Sequence, residues 1–88
     1  MITKREKNKI KKILGKEYSK QIILYLNKIN LRNKYGLPYS SNSTVINVMN
    51  GQPHKEIEKA IFELVAIRKE ELYQEAEERK RILELKKV

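Results

Sequence analysis

The residue types that carry out catalysis or bind metal ions are nearly absent from this sequence. His54 is the single histidine, and the chain contains no cysteine and no aspartate. A zinc site needs about three or four suitable ligands, and a magnesium-dependent nuclease needs clustered carboxylates. The three glycines are scattered singly, so the sequence has no glycine-rich phosphate loop. We therefore expect no enzyme activity, no metal and no cofactor, and we interpret His54 as a solvated residue at a helix start.

The distribution of charge favours a polyanionic partner. Residues 1–50 contain eleven lysines and arginines against two glutamates, a net charge of +9, whereas residues 51–88 contain nine of each and are neutral. No acidic residue occurs between Tyr18 and Lys55. A one-sided field of this kind attracts polyanions and raises their association rate. Nucleic acid is the partner that this asymmetry predicts, with an acidic protein or an anionic membrane surface as alternatives.

Residues 39–53 combine the features of a helix that reads DNA. Such a helix needs a capped N-terminus, an apolar face that holds it on the scaffold, and short polar side chains that reach base edges. Ser41 offers the cap, and the apolar anchors are Val45, Val48 and Met49. The alternative is an ordinary short helix with solvated polar residues. The side chains predicted to read bases are Asn42, Ser43, Thr44 and Asn47.

This segment resembles the second half of the lambda-repressor-like (Cro/C1, or XRE-type) helix-turn-helix domain. In that family a cap and polar residues open the recognition helix, an aliphatic pair follows, and a glycine-containing turn precedes a fourth helix. The resemblance covers residues 18–67 and implies sequence-specific DNA binding and transcription regulation, although residues 33–38 replace the family's scaffold helix. The chain as a whole also resembles small phage and prophage proteins. The residues that match the family pattern are Ser41, Asn42, Ser43, Thr44, Val45, Val48, Gly51 and Pro53.

Basic residues around this helix are predicted to contact the DNA backbone. Lysine and arginine bound to phosphate displace counterions and give salt-dependent affinity without sequence preference. For the lysines of the first helix, which include Lys7 and Lys11, the alternative is a solvated face that aids solubility. The predicted phosphate-binding residues are Lys4, Arg5, Lys9, Lys12, Lys16, Lys20, Arg32, Lys34, Tyr39 and Ser41.

Four helices must position these residues. Thr3 and Glu6 predict a capping box for a first helix that Gly15 ends. A loop, with a two-stranded hairpin as the alternative, is predicted over residues 30–39, and the third helix over residues 42–50. The second helix, over residues 17–29, has an apolar stripe of Ile22, Ile23, Leu26 and Ile29. The fold class is therefore all-α: a compact four-helix, helix-turn-helix-like domain with a long C-terminal helix.

The long fourth helix has Pro53 in its predicted first turn and continues to Lys87. Its apolar content falls after Arg68, so we predict a DNA-binding domain over residues 1–67 and a helical extension over residues 68–88. The extension either forms a homodimer or remains a solvated tail, and a dimer would place two recognition helices about 34 Å apart on DNA. The apolar positions of the first part are Ile57, Ala60, Ile61, Leu64, Val65 and Ile67. The predicted dimerisation residues are Leu72, Tyr73, Ala76 and Leu83, with Ile82 and Leu85 beside them.

A protein-interaction module is the alternative function, such as a small phage-type inhibitor or adaptor that presents its basic surface or its last helix to another protein. No apolar run approaches the roughly 18 residues of a membrane span, and no secretory signal is found. The absence of cysteine fits a reducing compartment. We expect a cytoplasmic protein whose partner is double-stranded DNA and not a membrane.

Overall fold

The computed structural model describes residues 1–85 and contains four α-helices. Within these residues there is no β-strand, and Arg32 and Pro38 form one isolated antiparallel bridge. The predicted all-α fold class with a long C-terminal helix is therefore confirmed. The predicted helical residues beyond Leu85 lie outside the described part of the chain. The helices are α1 (Lys4–Leu14), α2 (Tyr18–Lys28), α3 (Asn42–Met49) and α4 (Lys55–Leu85).

Local sequence sets both ends of α1. The Thr3 hydroxyl accepts a hydrogen bond from the Glu6 amide at 3.2 Å, and the Glu6 carboxylate accepts one from the Thr3 amide at 2.9 Å. These bonds form the predicted capping box, which gives partners to amides that the first helical turn leaves unpaired. Gly15 ends the helix with φ of +89° and ψ of −166°, a conformation that is essentially confined to glycine.

A long connection, residues 29–41, separates α2 from α3. The side-chain oxygen of Asn33 accepts hydrogen bonds from the amides of Tyr35 and Leu37 at 2.9 and 3.0 Å. The Leu37 carbonyl in turn accepts from the Asn33 amide at 2.9 Å. The alternative of a two-stranded hairpin is therefore wrong, because one asparagine closes a compact turn where a ladder of strand pairs would otherwise run.

The start of α4 differs from the prediction. Pro53 does not lie in the first turn, because the helix begins two residues later at Lys55. His54 is half-buried and not solvated. Its Nδ1 accepts a hydrogen bond from the Ile57 amide at 3.2 Å, and its own amide donates to the Glu58 carboxylate at 3.0 Å. His54 thus caps α4 in the manner usual for serine or asparagine.

The core lies around α2, which contacts the three other helices. Two predicted core residues are exposed instead. Ile29 follows the last residue of α2, so its side chain does not continue the apolar face of that helix. Ile67 lies at the edge of the apolar face of α4, in an open groove against α2. The buried residues are Ile2, Ile10, Leu14, Ile22, Ile23, Leu26, Tyr39, Val45, Val48, Met49, Ile57, Ala60, Ile61 and Val65.

The second half of α4 leaves the core. Every side chain from Lys69 to Glu84 is exposed, and the projecting helix gives the molecule a long dimension of 60 Å. Within residues 1–85, no helix combines the length and the apolar character needed to cross a bilayer. α4 therefore contributes a core helix over its first part and a free helical surface over its second.

Candidate nucleic-acid interface

α3 presents one solvent-exposed face. Its eight residues make a helix about 12 Å long. A DNA major groove is about 12 Å wide and admits the diameter of an α-helix. Of the predicted base-reading residues, Asn42, Ser43 and Asn47 are exposed on this face. Thr44 is half-buried at its edge. The outward face is therefore polar at both of its ends.

Two further residues complete this face, and neither belongs to the predicted base-reading set. Ile46 is 39% exposed, and the C-cap residue Asn50 is also exposed. Helical spacing would have indicated them, because Ile46 lies three residues after Ser43, and Asn50 lies three residues after Asn47. An exposed isoleucine among asparagines is suited to apolar contact with a thymine methyl group.

The scaffold holds α3 from its opposite side. The anchors predicted from the sequence, Val45, Val48 and Met49, are all at most 1% exposed. The Ser41 hydroxyl accepts a hydrogen bond from the Ser43 amide at 3.2 Å and so caps the helix as predicted. Buried anchors and a cap together fix the orientation of the outward face.

Basic side chains lie at the C-terminal end of α3. Lys4 and Lys7 of α1 line a hollow with Met49 and Asn50. The Lys7 ammonium donates a hydrogen bond to the side-chain oxygen of Asn50. Neither lysine has an acidic side chain within ion-pair distance among residues 1–85. α1 therefore places two positive charges beside the exposed face.

Two more basic residues precede the N-terminal end of α3. Arg32 and Lys34 lie in the connection that leads into the helix, and both are exposed. The Lys34 ammonium lies 5.2 Å from the centre of the Tyr35 ring. Arg32 and Lys34 line a cleft at the start of α4, which we call the basic cleft. Its lining residues are Arg32, Asn33, Lys34, Tyr39, His54, Lys55 and Glu56.

The other predicted phosphate-binding residues are not brought to α3. Lys9 and Lys12 line a separate groove between α1 and α4, which also includes Phe62 and Lys69. The structure therefore divides the basic residues that the sequence groups together, because successive lysines of a helix point to different sides. The remaining members, Arg5, Lys16 and Lys20, are exposed and line neither of the hollows that hold Lys4 and Arg32.

Tyr39 differs from the rest of the predicted phosphate set because it is buried. Only 8% of its surface is exposed, and its backbone carbonyl accepts a hydrogen bond from the Asn27 side chain at 3.1 Å. Burial, and next the charge of Glu56, raise the pKa of the Tyr39 hydroxyl. The ring is a core packing group, and the hydroxyl end lies near Glu56 in the basic cleft.

A second exposed surface is apolar and lies between α2 and α4. Leu24 is 62% exposed there, close to Ile67, and the groove continues past Tyr25. The Tyr25 hydroxyl donates a hydrogen bond to the Glu63 carboxylate at 3.0 Å and ties the two helices together. Farther along α4, all four predicted dimerisation residues are exposed: Leu72, Tyr73, Ala76 and Leu83.

Comparison with known proteins identifies no relative. No family model, no curated protein and no solved structure matches the chain. The connection over residues 29–41 is also much longer than the turn of about 3–4 residues that joins the two helices of a helix-turn-helix motif. The resemblance to the lambda-repressor-like family therefore gains no support beyond the residues that suggested it.

Proposed function

We propose that the protein binds double-stranded DNA sequence-specifically, with α3 in the major groove, and that it regulates transcription by doing so. The proposal rests on the polar surface of α3 and on the basic side chains near it. Its outward face is exposed and polar, and basic side chains lie beside its C-terminal end and in the connection before its N-terminal end. Asn42, Ser43, Ile46 and Asn47 would contact base edges.

The electrostatics of this face support the proposal. From Tyr18 to Lys55 the chain contains no acidic residue, so the α3 segment and its connection carry no repulsive charge toward phosphate. Lys4, Lys7, Arg32 and Lys34 have no acidic partner within residues 1–85, which leaves their charges available for a polyanion. Phosphate contacts of this kind position a protein on DNA, and base contacts then provide the specificity.

Selection of duplexes from a random pool, followed by fluorescence polarisation, tests the proposal. Asn47→Ala is expected to lower discrimination at one base position by about 1–3 kcal/mol, the contribution of a good bidentate contact. Lys34→Ala should weaken binding to all duplexes about equally. Asn8→Ala is the matched control, because Asn8 is an exposed asparagine on α1. Equal discrimination by the wild-type, Asn47→Ala and Asn8→Ala proteins would show that α3 does not read bases.

We further propose that the second half of α4 pairs with a second copy. Residues 70–78 contain five glutamates and no basic residue, and residues 79–81 are Arg-Lys-Arg. Antiparallel pairing centred between Glu77 and Glu78 would bring Leu72 of each copy against Leu83 of the other across a two-fold axis and place each Lys80 opposite the partner's Glu75. Sedimentation should show a dimer that Leu83→Lys dissociates and that Lys59→Ala, an exposed position on the first half of α4, does not.

Protein interaction is the second candidate function. The exposed apolar groove between α2 and α4 favours it, because Leu24 and Ile67 lie together there without cover. An adaptor or inhibitor would use this groove and leave α3 free. Leu24→Lys discriminates between the candidates, since it should abolish partner binding and leave DNA binding unchanged.

A further inference from the structure

The basic cleft is lined by Tyr39, whose hydroxyl group has no hydrogen-bond partner within the described residues. Tyr39 is more than nine-tenths buried, yet its hydroxyl forms no hydrogen bond with residues 1–85. The hydroxyl is not sealed from solvent, because no buried side-chain oxygen or nitrogen in this part of the chain lacks a partner. Tyr39 lines the basic cleft, and the charge of Glu56 in the same cleft acts on its hydroxyl. A core tyrosine thus brings an unpartnered hydroxyl group to the side of the molecule where the cleft lies.

The same cleft lies at the N-terminus of the longest helix. α4 has 31 residues, and its first amides lie at the positive end of the helix dipole. The Ile57 amide is paired with the His54 side chain, and the Glu58 amide with the His54 carbonyl. The amides of Lys55 and Glu56 have no partner among residues 1–85. Two backbone donors therefore remain without a partner in residues that line the cleft together with Tyr39.

Side-chain charge in the cleft is net positive. Arg32, Lys34 and Lys55 contribute three positive charges, none of them in an ion pair within residues 1–85, against the single carboxylate of Glu56. The cleft has a volume of about 440 Å³. The cleft is therefore large enough for an anion together with several waters. Hydroxyl, amides and unpaired cations are the donors that bind phosphate oxygens.

We propose that this cleft is a phosphate-binding site, in which the Tyr39 hydroxyl and the amides of Lys55 and Glu56 bind a phosphate group whose charge Arg32 and Lys34 neutralise. With DNA as the source of the phosphate, the site rests on the proposed function and anchors one backbone phosphate beside the start of α3. With free phosphate as the source, the site does not depend on DNA binding. Glu56 opposes binding in both cases and limits the affinity of the site.

The test follows the backbone amide NMR signals of Lys55 and Glu56 during titration with inorganic phosphate and, separately, with a random-sequence duplex. Saturable shifts of both signals are expected. Tyr39→Phe keeps the ring and should weaken binding about fivefold, the effect of one hydrogen bond. Glu56→Gln should strengthen binding about fivefold, the effect of one unit charge at about 4 Å in water. The matched controls, Tyr35→Phe in the exposed loop and Lys69→Ala on α4, should change neither.

The outcomes separate the two proposals. Shifts with inorganic phosphate but no binding of duplex support the cleft and refute DNA binding. Duplex binding that leaves the Lys55 and Glu56 signals unmoved overturns the cleft and leaves the proposed function in place. The cleft is also overturned if Tyr39→Phe and Tyr35→Phe weaken binding equally, because the Tyr39 hydroxyl would then contribute no hydrogen bond of its own.

Discussion

Two lysines of the same helix should affect DNA binding differently, because they lie on different sides of it. Lys4 lines the hollow beside Met49 and Asn50 at the end of α3, whereas Lys9 lines the groove between α1 and α4. The sequence alone gives no reason to expect different roles for these two lysines. We predict that Lys4→Ala removes one phosphate contact and that Lys9→Ala removes none.

The magnitude follows from counterion release. Four basic side chains are assigned phosphate contacts: Lys4 and Lys7 in the hollow at the end of α3, and Arg32 and Lys34 in the basic cleft. Each phosphate contact contributes about −0.9 to the slope of log affinity against log salt. The wild-type slope should be about −3.6 per protomer, so raising salt from about 50 to about 200 mM weakens binding about 150-fold. For Lys4→Ala the slope falls to about −2.7 and the same change in salt weakens binding about 40-fold.

Fluorescence polarisation with one duplex across a salt series measures these slopes. Lys9→Ala is the matched control, since it removes the same side chain from the same helix, and its slope should equal that of the wild-type protein. If both variants lower the slope by the same amount, the salt dependence reflects the net charge of the protein and not a local contact of Lys4 with phosphate. The assignment of phosphate contacts to the ends of α3 would then be wrong.

Four further predictions concern the fold that positions the site. Thr3→Ala should lower the free energy of unfolding by about 1 kcal/mol through loss of the α1 cap, measured by urea denaturation. The hydrogen bonds from Thr3, first of all from its backbone amide, lower the pKa of Glu6 from its ordinary 4.5, so their contribution is present above that pH and is lost as pH falls through the lowered pKa; between pH 6 and pH 3, thermal denaturation should show a smaller loss for Glu6→Gln than for the wild-type protein. His54→Ala should destabilise α4 by about 0.5–2 kcal/mol and His54→Asn by less, because asparagine can replace the cap; equal losses would contradict this role. Ile61→Ala should cost about 2–5 kcal/mol and Leu24→Ala less than about 1 kcal/mol, since Ile61 is completely buried and Leu24 is largely exposed.

Local sequence determined both ends of α1 and the start of α3. The Thr3 and Glu6 pair, Gly15 and Ser41 act on the backbone within a few residues of themselves, so their effects can be predicted without knowledge of the rest of the molecule. The same holds for the apolar anchors of α3, because the three- and four-residue spacing of Val45, Val48 and Met49 defines one side of a helix.

Tertiary structure decided which residues share a surface. Lys4 and Lys9 are the same residue type on the same helix, and only the packing of α1 against α3 and α4 places them on different surfaces. The sequence predicts Tyr39 as a loop residue, and only the folded chain buries it and places it in the cleft at the start of α4. The physical reason is range: capping and helical periodicity act over about four residues, whereas burial and charge proximity depend on residues distant in the sequence.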